Sequence, residues 1–400
     1  MKTVIRAAFF STAFAVLAIP CAALAEDEPP VVDAILDSWE KQFKVRPTYD
    51  AINDDGNGTI VIDGLKAQLS QAGQQGSVGL SIGKMTLSGV SDQGDGLFEI
   101  AKADYTDTKM DIVAEAQIAV SVPQIAVEGW YVKALEDGAS PADQFRASMN
   151  VAKKTSSGPI TLEASGMTFT SDGYTATWDG DPATGAGKAD FKLANVVIPE
   201  NVLASMDTSG MLKQLGYTSL SFDVGGNGEM SVTDENLGFD FEIFYAGKDM
   251  ATIKIGAGAG AIPFALISEL QGMEGNAQPD ANKLMPLVQG ISISRVKVRF
   301  EDQSITKKIL PMIAAMQGMD EATLKQSAGA IVQLGLAELK NPAFTAQVVS
   351  AVNAYLNDPR SITLLAKPAQ PVTVQQLMQL DPANPGAAID QLGVSVTAND

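Results

Sequence analysis

Alternation of apolar and polar residues dominates the chain from Thr59 to Phe300. A period of two residues is typical of β-strands that bury one face. In the clearest run, every odd-numbered residue from Leu237 to Tyr245 is apolar or aromatic, and a second alternating run begins at Ala251. The turn-forming residues between the two runs predict a β-hairpin. A chain with this pattern over most of its length is restricted to a sheet-based fold.

The alternation slips by one residue at two places, Gly83-Lys84 and Ser294-Arg295. One inserted residue turns the rest of a strand over. We therefore predict a β-bulge at each place.

After Phe300 the apolar period changes to that of a helix. Asp320 is the expected cap of one helix, Asn341-Pro342 the start of a second, and Asp358-Pro359 its end. An earlier short helix is expected from Val31 to Phe43. Strands followed by helices predict the α+β class, here an extended, curved antiparallel meander with C-terminal helices packed on it. Two Gly-Asn-Gly motifs, at 56–58 and 226–228, suggest two structural repeats.

The first 25 residues have the order of a secretory signal peptide. Basic Lys2 and Arg6 precede an uncharged apolar run that ends at Ile19, and Ala23-Leu24-Ala25 is a small-x-small cleavage site. The run is shorter than the roughly 20 residues that span a bilayer, so we expect cleavage after Ala25 instead of a retained anchor. These features predict a periplasmic protein without a transmembrane segment in its mature part. The expected organisation is a signal peptide at 1–25, a β-rich domain with a short N-terminal helix at 26–300, and a mainly helical part at 301–400.

Composition excludes several kinds of chemistry. The chain has no histidine, and its single cysteine, Cys21, lies in the predicted signal peptide. Imidazole catalysis and disulfides are therefore not expected in the mature protein. The net charge of −19 disfavours binding to nucleic acid, because the phosphate backbone repels an acidic surface.

No catalytic arrangement is specific enough to predict an enzyme. The segment Gly79–Gly83 matches the nucleophile-elbow pattern around Ser81, but that elbow needs a histidine to accept the serine proton. A serine–lysine pair avoids histidine, and Ser81 with Lys84 or Ser304 with Lys307 has the required spacing. Because this spacing is common by chance, we predict a protein without enzymatic activity and assign no catalytic residue.

One segment resembles the beginning of an EF-hand calcium loop. Asn53, Asp55 and Asn57 would supply side-chain oxygens, and Thr59 its carbonyl oxygen. The twelfth position is Gly64 instead of a glutamate, and Gly and Asn are also the residues that tight turns favour. The segment thus predicts either a calcium site, the only cofactor expected, or a hairpin turn.

Aromatic residues on the predicted hairpin are the candidates for binding an apolar ligand. They are Phe239, Phe241, Phe244 and Tyr245. Packing in the core is the alternative interpretation, because aromatic side chains dominate ordinary cores. Phe244 differs from the others because it falls on the polar face of its strand, where an apolar side chain would suit a lipid or a partner.

Three segments carry a resemblance to a known group of proteins: Asp37-Ser38-Trp39, the meander from Gly216 to Gly256, and the tail from Leu356 to Val372. They resemble exported, uncharacterised proteins of alphaproteobacteria that are distantly similar to the AsmA-like and YdgA-like envelope proteins. The resemblance implies a role in the cell envelope and contact with lipid along an open sheet. We therefore predict a non-catalytic envelope protein that binds lipid or another apolar ligand on its sheet. The alternative is a scaffolding protein that binds other envelope proteins.

Overall fold

The computed structural model describes residues 28–43, 45–70, 77–113, 116–134, 138–149, 151–271, 281–381 and 383–400. The predicted signal peptide and its cleavage site therefore lie outside the described residues.

Helices and strands cover most of the described chain. The α-helices are α1 (Pro30–Phe43), α2 (Pro141–Met149), α3 (Glu200–Met206), α4 (Met211–Gln214), α5 (Phe264–Gln271), α6 (Ala281–Gln289), α7 (Ile305–Met316), α8 (Glu321–Gly335), α9 (Pro342–Asn357), α10 (Val374–Met378) and α11 (Pro385–Gln391), with a 3-10 helix at Ala337–Leu339. The strands are β1 (Ala51–Asp54), β2 (Thr59–Ser70), β3 (Ser77–Gly94), β4 (Leu97–Val113), β5 (Gln117–Lys133), β6 (Ala152–Ser157), β7 (Ile160–Ala164), β8 (Met167–Ser171), β9 (Gly173–Gly180), β10 (Gly187–Ile198), β11 (Leu220–Val232), β12 (Asn236–Gly247), β13 (Ala251–Pro263), β14 (Ser292–Asp302), β15 (Ser361–Ala366), β16 (Val372–Thr373) and β17 (Val394–Ala398).

The chain divides into two compact units. Unit 1 consists of the described parts of Met1–Val202, Val232–Glu235 and Ile267–Pro279, and unit 2 of Leu203–Ser231, Asn236–Leu266 and the described parts of Asp280–Asp400. Strands β12 to β14 and the helices after residue 300 therefore belong to the same unit, whereas the expected boundary at residue 300 placed them in different parts.

Unit 1 is an antiparallel meander, and helices α1 and α2 both contact its strand β5. Strands β1 to β5 pair in chain order, and β5 then pairs with both β6 and β7. Strand β8 pairs with β7, β9 with β6, and β10 with both β8 and β9. Most of unit 1 is thus built from neighbours in sequence.

Helix α1 supplies a large part of the core of unit 1. The helix was expected from Val31 to Phe43, and the structure confirms it. Ile35, Leu36 and Trp39 are each at most 1% exposed and belong to one cluster with the buried faces of β2 to β5. Arg46 forms ion pairs with Asp33 and Asp37 of the helix. Burial of an apolar stripe stabilises a short helix more than its intrinsic propensity does.

The phase slip at Gly83-Lys84 has a different cause from the predicted bulge. Buried residues change phase between Ile82 and Met85, but β3 stays in the same register with β2 on both sides of the slip. The residues opposite Gly83 in β2 and β4, Gly64 and Asp107, both have positive φ. All three strands change phase in the same row, so none gains an unpaired residue, and the predicted bulge is wrong here.

The strand pairs described in unit 2 are also antiparallel. Strand β12 pairs with β13, β13 with β14, β14 with β15 and β16, and β15 with β17. The predicted hairpin is confirmed as β12 and β13. The predicted bulge at Ser294-Arg295 is also confirmed, because Gly258 pairs with Arg295 while Ala259 pairs with Ile293, which leaves Ser294 as the extra residue.

The C-terminal helices begin and end close to the predicted positions. The Asp320 side chain caps α8 by accepting a hydrogen bond of 2.7 Å from the Thr323 N–H, and Asn341 caps α9 in the same way from Phe344. Helix α9 packs on β15 and β17. Leu310, Ala314 and Leu324 form a small buried cluster between α7 and α8.

The α+β class with an antiparallel meander and packed C-terminal helices is confirmed. The two Gly-Asn-Gly motifs, however, occupy different environments. The motif at 56–58 forms the turn between β1 and β2, whereas the motif at 226–228 lies inside β11. The motif therefore does not mark equivalent positions of two repeats.

Candidate ligand-binding face

Five neighbouring strands of unit 2 place only apolar or aromatic residues on one face. Residues directly opposite each other in an antiparallel pair point to the same side of the sheet. The register therefore defines three rows across the strands, which we call the apolar face. The rows are Tyr245, Ile253, Phe300, Ile362 and Ala398; Ile243, Ile255, Val298, Leu364 and Val396; and Phe241, Ala257, Val296, Ala366 and Val394.

Helix α9 covers only part of the apolar face. Val396 on β17 is 9% exposed beneath this helix, and the Phe300 ring meets the ring of Tyr355 on α9 edge-on, at 6.2 Å between centroids. Burial raises the pKa of the Tyr355 hydroxyl. The helix thus closes the β17 side of the face.

The middle of the apolar face stays open to solvent. Five of its side chains, on three adjacent strands, are between 41% and 46% exposed. We call them the open strip: Ile253, Ile255, Val296, Val298 and Leu364. Single exposed apolar residues are ordinary, but a contiguous set in register is a candidate surface for binding a ligand or partner.

The opposite face of the same strands is charged and paired within itself. The Lys297 ammonium lies 2.7 Å from a Glu242 oxygen, and the Lys254 ammonium lies 2.8 Å from a Glu301 oxygen. Partial burial opposes ionisation of Glu301, but hydrogen bonds from Lys254 and Arg299 outweigh it and lower the pKa of this carboxyl. Arg299 also binds the Asp400 carboxylate at 2.6 Å. The charged side chains named here are therefore paired with one another. The side chains of the open strip, in contrast, remain exposed to solvent.

The four aromatic candidates from the sequence do not form one site. The rings of Phe239 and Phe241 lie 5.4 Å apart, and Phe241 and Tyr245 belong to the apolar face. Phe244 is opposite Lys254 on the charged face, as its position in the alternation predicted. All four side chains are half-buried. The apolar face thus brings Phe241 and Tyr245 to the border of the open strip and leaves Phe244 on the other side of the sheet.

Sequence reasoning did not identify the open strip. Its members are ordinary aliphatic residues of alternating strands, and the aromatic residues of β12 were predicted as the binding residues instead. The usable signal was that Ile253 alternates with Ile255 in the second strand of the predicted hairpin, and Val296 with Val298 in a later strand. The exposure of these side chains depends on where α9 packs, and the alternation of residues within a strand does not predict that position.

The segment that resembles a calcium loop forms a hairpin turn. One carboxylate oxygen of Asp55 accepts hydrogen bonds from the N–H groups of Asn57, at 2.7 Å, and Thr59, at 3.0 Å, which lowers the pKa of Asp55. The Thr59 carbonyl accepts a hydrogen bond from the Asp55 N–H at 3.1 Å, and Asn53 lies in β1 opposite Val61. In the part of the chain that the structure describes, no group of three His, Cys, Asp or Glu residues could hold a metal ion. The arrangement fits a turn, and calcium binding stays a prediction.

A melting experiment separates the two interpretations of this segment. Asp55→Ala removes two turn hydrogen bonds, so we expect it to lower Tm by the same amount with calcium or with a chelator. Asp92→Ala is the matched control, because the Asp92 carboxylate accepts a similar hydrogen bond from the Gly94 N–H in another turn. A calcium-induced rise in Tm that Asp55→Ala alone abolishes would establish the calcium site.

Neither serine–lysine pair is assembled in the described residues. The Ser304 hydroxyl donates a hydrogen bond to the Asp249 carbonyl oxygen. Lys84 lies 3.6 Å from Asp63, and the residues directly opposite Ser81 are Lys66 and Lys109. The structure thus gives Ser304 and Lys84 other partners.

A protein-family model described as "Uncharacterized protein" matches residues 244–399. The matched segment contains every member of the open strip. No curated protein matches the chain. Among the described residues, no helix is long and apolar enough to cross a membrane.

Proposed function

We propose that this chain is a non-catalytic protein of the cell envelope that binds the hydrocarbon part of an amphiphilic ligand on the open strip. The observation that carries the proposal is the strip itself, five half-exposed aliphatic side chains in register on β13, β14 and β15. An aliphatic surface without polar groups favours a hydrocarbon chain, because apolar burial is non-directional. The envelope location rests on the sequence of residues 1–25 and stays a prediction.

The size of the strip limits how tightly it can hold hydrocarbon alone. Complete burial of an Ile, Leu or Val side chain contributes about 1.5–3 kcal/mol. Covering the exposed part of five such side chains therefore contributes roughly 3–6 kcal/mol, before the cost of association. A dissociation constant of about 1 mM corresponds to about 4 kcal/mol. The strip alone thus supports weak binding, and a tighter ligand needs a further contact.

A neutral apolar dye tests the proposal directly. Nile red fluoresces strongly in apolar surroundings, so we expect its emission to rise when the purified chain is added and to fall again when 1-dodecanol competes for the strip. Both probes are uncharged, so a response reports apolar contact alone. Absence of any emission change at millimolar protein would overturn the proposal.

A further inference from the structure

One end of the open strip lies beside the start of α7. Strand β14 ends two residues before this helix, and the N–H groups of Gln303, Ser304 and Ile305 all lie within 3.0–3.2 Å of the Met250 carbonyl oxygen in the β12–β13 turn. In β13, Ile253 follows this turn closely and pairs with Phe300. The first turn of α7 therefore stands at the Ile253 end of the strip.

Polarity rises in steps from the strip toward α7. Phe300 contacts Tyr355, and the hydroxyl of Tyr355 is hydrogen-bonded to the hydroxyl of Thr306 in the first turn of the helix. Lys307 and Lys308 follow directly. Contacts thus lead from the strip to a pair of hydroxyl groups, and the next two residues of the chain are basic, a sequence of groups that suits an amphiphile with an anionic head.

The two lysines have no acidic partner among the described residues. Lys308 is half-buried, with its ammonium 4.0 Å from the centroid of the Tyr217 ring, and neither lysine forms a salt bridge with a described carboxylate. The basic residues on the charged face nearby are paired. Cations at the beginning of a helix also do not stabilise it, because that end carries the positive pole of the helix dipole. Neither lysine therefore has its charge balanced by a described carboxylate, although Lys308 also contributes to the fold through the Tyr217 ring.

We propose that the ligand of the open strip is a long-chain fatty acid whose carboxylate is bound by Lys307 and Lys308. This inference rests on the proposed function, since the strip holds the hydrocarbon chain. The N–H groups at the start of α7 already have acceptors, including the Asp302 carboxylate for Thr306, so the lysine side chains supply the contact with the head. Charge-assisted hydrogen bonds of this kind are stronger than neutral ones.

Competition between two amphiphiles of equal chain length tests the inference. Dodecanoate and 1-dodecanol are titrated against Nile red bound to the chain at pH 8 and low salt. We expect dodecanoate to compete at a concentration at least tenfold lower than 1-dodecanol. In the variant Lys307→Met/Lys308→Met, dodecanoate and 1-dodecanol should displace Nile red at equal concentrations. The concentration of 1-dodecanol that is needed should be the same as for the unchanged chain. Lys325→Met is the control, because Lys325 is paired with Glu321 at 2.7 Å on α8.

Salt provides a second readout that does not depend on folding of a variant. Raising the NaCl concentration should weaken the binding of dodecanoate and leave the binding of 1-dodecanol unchanged, because salt screens only the charged contact. Equal competition by both amphiphiles in the unchanged chain, or a preference that survives the double substitution, would overturn the fatty-acid inference and leave hydrocarbon binding standing. Failure of both amphiphiles to displace Nile red would overturn the proposed function and this inference together.

Discussion

Trp39→Ala is expected to lower the free energy of unfolding of unit 1 by about 3–5 kcal/mol, the range for removing a buried tryptophan. Trp39 is 1% exposed and packs among the buried side chains of α1 and strands β2 to β5. Because Trp39 is among the side chains through which α1 packs on the sheet, the cavity would open at the contact that holds this helix there. Urea unfolding followed by circular dichroism measures the loss. The urea concentration at the midpoint should fall, while the dependence of the unfolding free energy on urea concentration stays similar.

The same substitution at a less buried site is the control for this prediction. Trp178 on β9 is half-buried, so Trp178→Ala should cost clearly less than Trp39→Ala. A loss below about 1 kcal/mol for Trp39→Ala would contradict the account of α1 as part of the core. Equal losses for the two variants would contradict it as well.

Ile255→Lys/Val298→Glu is expected to weaken the binding of Nile red and 1-dodecanol at least tenfold. The two residues are directly opposite each other in the middle row of the apolar face. Covering either new charge with hydrocarbon would remove it from water, which is costly. The opposite charges attract across the strands, so the sheet itself should tolerate the pair. A fluorescence titration gives the change in affinity, and a melting curve checks the fold.

Exposed apolar residues outside the sheet provide the control for the strip variant. Met316 on α7 and Leu334 on α8 are 77% and 79% exposed, more than any member of the open strip. Met316→Lys/Leu334→Glu should therefore leave the binding of both probes unchanged. Equal losses in the two double variants would indicate that the dye reports general surface hydrophobicity.

The parts of the fold that depend on local sequence could be predicted. The β12–β13 hairpin, the bulge at Ser294 and the caps at Asp320 and Asn341 each follow from a few adjacent residues, and the structure confirms them. Gly83 shows where this reasoning stops. Its phase slip was visible, but its meaning depends on Gly64 and Asp107 in neighbouring strands, which change phase in the same row.

The candidate site could be predicted only in its general nature. An apolar surface on the sheet of unit 2 was expected, and Phe241 and Tyr245 do lie on the apolar face. The open strip depends on which strands become neighbours and on which of them α9 covers. Val298, for example, becomes part of the strip only because β14 lies between β13 and β15. Alternation within one strand identifies a face but does not identify what covers it.

The position of bound hydrocarbon tests the central claim most directly. A dodecanol analogue that carries a photoreactive diazirine near the end of its chain would be irradiated with the chain, and the labelled residues identified by peptide mass spectrometry. We expect labels on β13, β14 or β15 at members of the open strip, and we expect an excess of 1-dodecanol without the diazirine to reduce this labelling. Labels confined to α8 at Ile331 and Leu334, or no label that 1-dodecanol competes away, would contradict the account.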